Sequence, residues 1–333
     1  MKIAVIGATG LIGQHAARAL VSHGDALRIV HRAGSRLQSL EHLPFETAEA
    51  DLDDRAALTE ALRDVDAVIH CAGYYPRQFN RTEEELAIAR RQMGNFCQAA
   101  LDAGCSKAVY VSAASVLEKP APGQLADESM VCREEPSRNN PFRLIKWHQD
   151  KIAEEYIGRG LPLVFAIPSM VFGEYDHGPT AGRLIVGIAN GTLRHYIDCQ
   201  RNIVAGADLA QGLLRCLAAG RVGERYILAG TNIHFGELVE KIAAAAKVSP
   251  PKRVSLVVAR ALAGLQELQY RMTGKTPSVK RSELAMIASG KFLDAGKAEQ
   301  ELGFKAQIGV DDAIGRALRW FRNNGYVTGP VGP

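Results

Sequence analysis

Gly7, Gly10 and Gly13, three apart in IGATGLIGQHAARAL, are the first residues of the 333-residue chain whose spacing prescribes a chemistry. Between a strand and a helix, the first glycine permits a tight turn and the second lets a pyrophosphate approach the backbone. The third lets the helix pack closely. A helix starting at Leu11 offers free N–H groups to phosphates, so Thr9, Leu11 and Ile12 join the glycines as a dinucleotide seat. A packing turn is the structural alternative, and the triplet's place in the first βαβ unit argues against it.

The second strand, LRIVHRAGSR, ends in His31 and Arg32 with Arg36 close behind, where an NAD site usually keeps an acid for the ribose diol. Cations suit a 2'-phosphate, so the expected cofactor is NADP, with NAD as the alternative and a solvated edge as the structural reading. Asp51 follows the third strand and can accept from an adenine amine, with Leu52 beside it; Asp53 is expected to cap the next helix. Cys71, Ala72 and Gly73 close the fourth strand with little bulk, leaving room for the cofactor's ribose and phosphate.

These residues need a scaffold that brings strand ends together. KIAVIG, LRIVHR, AVIHCAG, KAVYVSA and LPLVFAIP are short apolar runs separated by amphipathic stretches, which predicts a parallel sheet covered on both faces. Helices are expected at residues 11–23, 54–63, 83–103 and 141–159. The Pro-, Gly- and acid-rich stretch 117–141 is expected to be a long surface loop beside the site. The fold class is α/β, a Rossmann-type doubly wound sheet with a smaller discontinuous C-terminal substrate lobe. The dinucleotide domain takes residues 1–168 and about 198–230, and the lobe about 169–197 and 231–330.

Composition excludes several classes. Lys plus Arg exceed Asp plus Glu by 40 to 36 with no charge runs, so no nucleic-acid face is expected. No run of apolar residues is long enough for a membrane span, no leader is evident, and the six cysteines are far apart, as in a cytoplasmic protein. No His, Cys or acid cluster has metal-ligand spacing, and no nucleophile-elbow motif is present.

The glycine loop, ADLDD, HCAG, VYVSAAS and PSMVFGEYD together resemble the extended short-chain dehydrogenase/reductases of the NAD-dependent epimerase/dehydratase type. The nearest groups are the sugar-nucleotide epimerases, the hopanoid-associated sugar epimerases and the dihydroflavonol 4-reductase-like members. NIVAGADLAQGLL, GRVGERYILAG and the late DAGKAEQELGFKAQIGVDDAIGRALRWF extend the resemblance over nearly the whole chain. It implies Pro168 at the nicotinamide end, and a Ser or Thr after the fifth strand. It also implies a Tyr-x-x-x-Lys on the next helix, the tyrosine as acid/base and the lysine on the nicotinamide ribose.

This chain departs from that pattern. Lys146 is retained in PFRLIKWHQDKIAEEY, but Phe142 stands where the tyrosine belongs; residues at i and i+4 share a face, and a phenyl ring has no proton to give. Ala113 takes the hydroxyl position after the fifth strand and Ala89 that of a supporting asparagine. Ser112 reaches the site only if the strand ends early or bulges, since adjacent strand residues face opposite ways. Losing a positioned acid/base costs about 10² to 10⁴ in rate, roughly 3 to 5 kcal/mol, so a substitute is needed.

Candidate substitutes are Tyr74 and Tyr75 after the fourth strand, His148 on the lysine helix, and Tyr175, Asp176 and His177 in the loop after Pro168. Lys146, Ser112 and Tyr74 are therefore the catalytic candidates, and Tyr74, Tyr75, Ala113, Phe142 and Tyr175 the substrate pocket. Asp208 is read as structural, a helix cap or an interdomain partner. Two functions follow: an atypical oxidoreductase or nucleoside-diphosphate-sugar epimerase/dehydratase-like enzyme acting on a small molecule such as a sugar nucleotide, or an inactive NADP-binding sensor or scaffold. The resemblance also implies a homodimer through a four-helix bundle of helices 83–103 and 141–159.

Overall fold

The computed structural model describes residues 1–74, 82–273, 284, 287 and 290–328. Tyr75 lies outside these residues. The strands β1 (Lys2–Ile6), β2 (Ala26–His31), β3 (Glu46–Glu49), β4 (Ala67–His70), β5 (Lys107–Val111) and β6 (Leu163–Pro168) belong to one sheet. They alternate with the helices α1 (Leu11–His23), α2 (Arg55–Ala61), α3 (Thr82–Asp102) and α4 (Pro141–Gly158). Then come β7 (Met170–Phe172), α5 (Arg183–Ala189), β8 (His195–Tyr196), β9 (Gln200–Ala205), α6 (Gly206–Ala219), β10 (Arg225–Leu228) and β11 (Thr231–His234). The chain continues through α7 (Phe235–Ala246), β12 (Lys252–Arg253), α8 (Leu256–Thr273), α9 (Gly296–Leu302) and α10 (Val310–Asn323).

Seven parallel strands form the main sheet in the order β10-β6-β5-β4-β1-β2-β3. The central strands are buried on both faces, which is why they read as continuous apolar runs. One face packs on α1, α6 and α9, the other on α2, α3 and α4. The order reverses between β1 and β4, the switch point outside whose strand ends ligands bind in such sheets.

Local chemistry sets the helix ends that matter. Gly24, in the left-handed region at φ 90°, stops α1. Asn140 caps α4 through the Arg143 N–H, and Pro141 occupies its first turn. The cap of α2 is Asp54, accepting from the Ala57 N–H, and not Asp53 as expected, because the helix starts one residue later. Asp53 is held instead by Arg91 at 2.8 Å.

The lobe core is built on a second sheet, β11-β9-β7, covered by α5, α7 and α10. β9 begins just past the expected boundary near residue 198. Strand β9 pairs in parallel with β7, so the chain rejoins the main domain only at α6. The stretch 117–141 is also less superficial than its composition predicts. Leu117 bridges Val131, Ala126 bridges Leu293, and both pack with Ile167 and Ile227 under the sheet edge. Isolated apolar residues carry no periodicity, so that burial left no trace in the pattern. Among the described residues no helix is long and apolar enough to cross a membrane.

Candidate active site

Two glycines of the loop are required by steric contact, and the third leaves space open. Gly7 has φ 83°, and a Cβ there would lie 2.7 Å from the Ala72 backbone N. At Gly13 a Cβ would sit 2.2 Å from the Gly7 carbonyl oxygen, so α1 packs onto the loop only without one. Gly10 differs: its Cβ would meet nothing closer than the Gly7 oxygen at 3.6 Å, so the space left by its hydrogen faces outward. Gly10 starts α1 without a side-chain cap, which leaves the first N–H groups of the helix at Leu11, Ile12 and Gly13 for an anion. The cradle therefore fits a dinucleotide pyrophosphate.

Beyond the cradle, Arg32 and Arg36 are both exposed just past β2, and neither side chain makes an ion pair among the described residues. Asp51 is half-buried, and one of its carboxylate oxygens accepts the Asp53 N–H at 2.9 Å. On the other side of the switch point, Ala72 backs directly onto Gly7, and burial pushes the Cys71 thiol up to about 12, which keeps it protonated.

Lys146 is 3% exposed and extends from α4 to the end of β5. Its ammonium donates to the Val111 carbonyl at 3.1 Å and to the Tyr110 hydroxyl at 3.3 Å. Burial lowers its pKa to about 8, against an opposing pull from Asp150 one helical turn on. A phenol thus does lie beside Lys146, but it is not a substitute at the surface. Tyr110 is 1% exposed, donates to Gln149, and burial holds its proton on well above the ordinary value. Beside it His70 is buried, its Nδ1 without a partner, and burial with the Lys146 charge lowers it to about 3, so the ring is neutral.

Ser112, a catalytic candidate from the sequence, turns into the interior. β5 ends at Val111, but the Ser112 N–H still bonds the Ala166 carbonyl and continues the ladder by one step. Its side chain is 3% exposed and donates to Asp150 at 2.7 Å. Asp150 in turn meets Arg225 at 3.2 Å; burial raises its pKa to about 6, against Arg225 and the serine hydroxyl. The network Ser112–Asp150–Arg225 lies beneath the site and braces the helix that carries Lys146.

Ala113 is extended and half-buried, and opens the 3-10 turn Ala114–Val116 that α4 packs against. Phe142, in the first turn of α4, is half-buried. Ala89 is fully buried with Leu86, Leu144 and Ile145, so the place expected for an asparagine is part of an apolar seam between α3 and α4. Tyr74 packs against that seam and its hydroxyl donates to the Glu85 carboxylate, itself 7% exposed.

Tyr175 packs between α1 and α10. It takes φ 70° and its ring is sandwiched by Arg18, whose Cζ is 3.7 Å from its centroid, with His15 and Trp320 at its edges. The cause is a gap: Gly173 and Gly206 lack the Cβ atoms that would strike His15, so α1 and the segment after β7 lock together there. Asp176, 2% exposed, accepts the Thr180 and Gly182 N–H groups, and His177 stacks edge-on at Trp320. His148 meets Glu135 at 3.1 Å. Asp208 accepts the Gln307 and Ile308 N–H groups, an interdomain partner and not a cap.

The residues that sequence reasoning missed are Tyr110 and Asp150, each on the face already indicated. Tyr110 is two before Ser112 on a strand, and Asp150 four after Lys146 on a helix. Nothing in the chain's pattern points to Lys291, whose ammonium donates to the Ala114 and Leu117 carbonyls across more than 170 residues of sequence.

A profile of the NAD dependent epimerase/dehydratase family matches residues 3–229. A nucleoside-diphosphate-sugar epimerase structure from Pseudomonas aeruginosa is 39% identical, with a TM-score of 0.87, covering 98% of this chain and 99% of that one. A putative dihydroflavonol 4-reductase from Synechocystis sp. is 28% identical over 331 residues, 97% of this chain and 95% of its own. At the level of fold, a dTDP-glucose 4,6-dehydratase from Streptomyces venezuelae, solved with NAD bound, aligns at a TM-score of 0.79 and 22% identity, over 97% and 98% of the two chains. With the parallel sheet, the glycine cradle and the retained lysine, these matches make the chain a member of the NAD dependent epimerase/dehydratase family.

Proposed function

We propose that the protein is an NADP(H)-dependent oxidoreductase of the epimerase/dehydratase kind, acting on a small oxygenated substrate of the sugar-nucleotide class through a remodelled proton-transfer site. The observation that carries this is the pairing of an intact phosphate cradle with Phe142 one turn before Lys146. Gly7, Thr9, Gly10, Leu11, Ile12 and Gly13 would hold the pyrophosphate, Arg32 and Arg36 the 2'-phosphate, and Asp51 and Leu52 the adenine end. Cys71, Ala72, Gly73, Lys146 and Pro168 would line the path to the nicotinamide, which supplies the hydride.

The chain's own residues divide the remaining work. Lys146, brought down to about 8 by burial, has an ammonium poised to grip ribose hydroxyls and to lend positive charge. Phe142 and Ala113 shape the pocket and exclude water but move no proton. Tyr74 is the proton donor: it would give its hydroxyl proton to the substrate oxygen and be reprotonated from solvent, while the Glu85 carboxylate, which accepts from that hydroxyl in the resting site, orients it. The similarity to the Pseudomonas aeruginosa epimerase supports the sugar-nucleotide class.

A second reading, an inactive NADP-binding sensor or scaffold, is favoured by the same apolar replacements at Phe142, Ala113 and Ala89. NADPH consumption with sugar nucleotides, measured for the parent, Tyr74→Phe and the double variant Ala113→Ser with Phe142→Tyr, separates the two. An active parent that loses about a hundredfold on Tyr74→Phe supports the first. A parent that binds NADPH without turnover while the double variant gains it supports the second. The thiols of all six cysteines are unpaired and four are buried, as suits the reducing cytoplasm. Helices α3 and α4 pack side by side, the half of a four-helix bundle that a homodimer would complete.

A further inference from the structure

Helix α8 turns small residues inward and large ones outward. Ala259 and Ala263 are buried, packing with Leu284 and Ile197. Val257, Val258, Leu262 and Leu265 are between 48% and 76% exposed, and they are four of the seven large apolar side chains exposed among the described residues. Val257, Ala261 and Leu265 are spaced i, i+4, i+8, and Val258 and Leu262 i, i+4, so two neighbouring rows make one continuous exposed stripe. A surface helix ordinarily buries such a stripe against its own core. Here alanines make the core contact, and the stripe faces outward.

The charge around the stripe is of one sign. Arg260 stands on α8, and Lys252 and Arg253 form β12, which pairs with β8 next to Arg194; all four are exposed. Residues 250–266 contain no acid, and the acid that does approach is Asp198, 3.6 Å from Arg253. Lys252 and Arg253 also precede the N-terminus of α8, the positive end of its dipole, where cations are unfavourable until an anion meets them. In sequence, residues 252–281 hold seven Lys or Arg and one acid, against a net charge of +4 for the whole chain, so the rest of the chain is on balance acidic.

We propose that α8 docks the protein on an anionic phospholipid bilayer. Val257, Val258, Ala261, Leu262 and Leu265 enter the interface, and Arg194, Lys252, Arg253 and Arg260 meet the headgroup phosphates. The helix lies in the plane of the membrane and does not cross it. The stripe carries no side-chain hydrogen-bonding atom and none of the Trp or Tyr that anchor protein interfaces, which suits hydrocarbon better than a protein partner. A second copy on the same stripe would set Arg260 near its equivalent with no acid between them. The inference is independent of the cofactor and of the proton donor.

The test is co-sedimentation of the full chain, at about 0.1 M salt, with phosphatidylcholine vesicles containing about a third phosphatidylglycerol, and with phosphatidylcholine alone. Saturable binding to the first is expected, at least tenfold weaker to the second. Leu262→Gln with Leu265→Gln should weaken binding at least tenfold. Lys252→Gln with Arg260→Gln should weaken it about 30-fold. The replaced side chains are exposed, so both double variants should keep the parent's urea midpoint; if the leucine variant does not fold, the charge variant decides. No binding to the anionic vesicles, equal binding to both kinds, or a folded variant that binds like the parent overturns the proposal. So does a parent that is dimeric in sedimentation velocity and becomes monomeric in the leucine variant, which would assign the stripe to a second copy.

Discussion

Replacing Gly10 by alanine tests the cofactor seat without disturbing the fold. At φ −86° and ψ 165° the residue is in extended backbone that alanine adopts freely, and the new methyl meets nothing nearer than 3.6 Å. Alanine is about 0.5 to 1 kcal/mol worse than glycine at a helix N-cap. Against that, it stabilises by about 0.4 to 1 kcal/mol through the unfolded chain. The net change in stability is therefore within about 0.5 kcal/mol. The methyl does fill the approach to the first helix N–H groups. Losing one or two charge-assisted bonds there costs about 2 to 4 kcal/mol, or roughly 30- to 1000-fold in dinucleotide affinity. Gly13→Ala makes the contrast, because its methyl would strike the Gly7 carbonyl at 2.2 Å, and it should lose stability and binding together. Urea denaturation and NADPH fluorescence titration read both quantities. A Gly10→Ala protein that binds NADPH like the parent would refute the placement of the pyrophosphate.

Removing Arg32 and Arg36 together should weaken NADPH by about 10- to 100-fold while leaving NADH within threefold, as measured by parallel titrations; equal losses would mean that the arginines do not read the 2'-phosphate. Ser112→Ala should cost about 1.5 to 3 kcal/mol in urea denaturation, because the buried Asp150 loses its 2.7 Å donor, with NADPH affinity changed less than twofold. His15 is lowered to about 4 by burial, so the unfolded chain takes up its proton first and stability should fall as pH drops from about 6.5 towards 4, by about 3 kcal/mol at the end of that window. His70, lowered to about 3, acts in the same direction; His15→Gln should flatten part of this dependence, and an unchanged slope would contradict the neutral buried ring.

The fold was legible wherever an element is long and periodic. The strand KIAVI and helix Leu11–His23 stand where the apolar run and the glycines put them, because both faces of the one and a stripe of the other are buried. The boundary at β9 was not legible, since a strand's neighbours are not written in its own residues. Within the site, the family resemblance points to Lys146, Phe142 and Ala113, whereas the direction of Ser112 depends on how β5 ends, which no pattern states. The surroundings of Tyr175 were not legible, because the His15 contact that shapes them depends on small residues at 173 and 206 rather than on any pattern around Tyr175. Lys291 was invisible for the same reason: its acceptors are carbonyls, present in every residue.

The interlock of His15 with Tyr175 and Trp320 couples two parts of the molecule. The helix whose first turn forms the phosphate seat is keyed, one turn further along, into the segment that leads to the substrate lobe. A displacement of that helix when a dinucleotide arrives would be transmitted to α10 as through a rigid lever. Any influence of a bound dinucleotide on α10 would pass through the rings of His15, Tyr175 and Trp320.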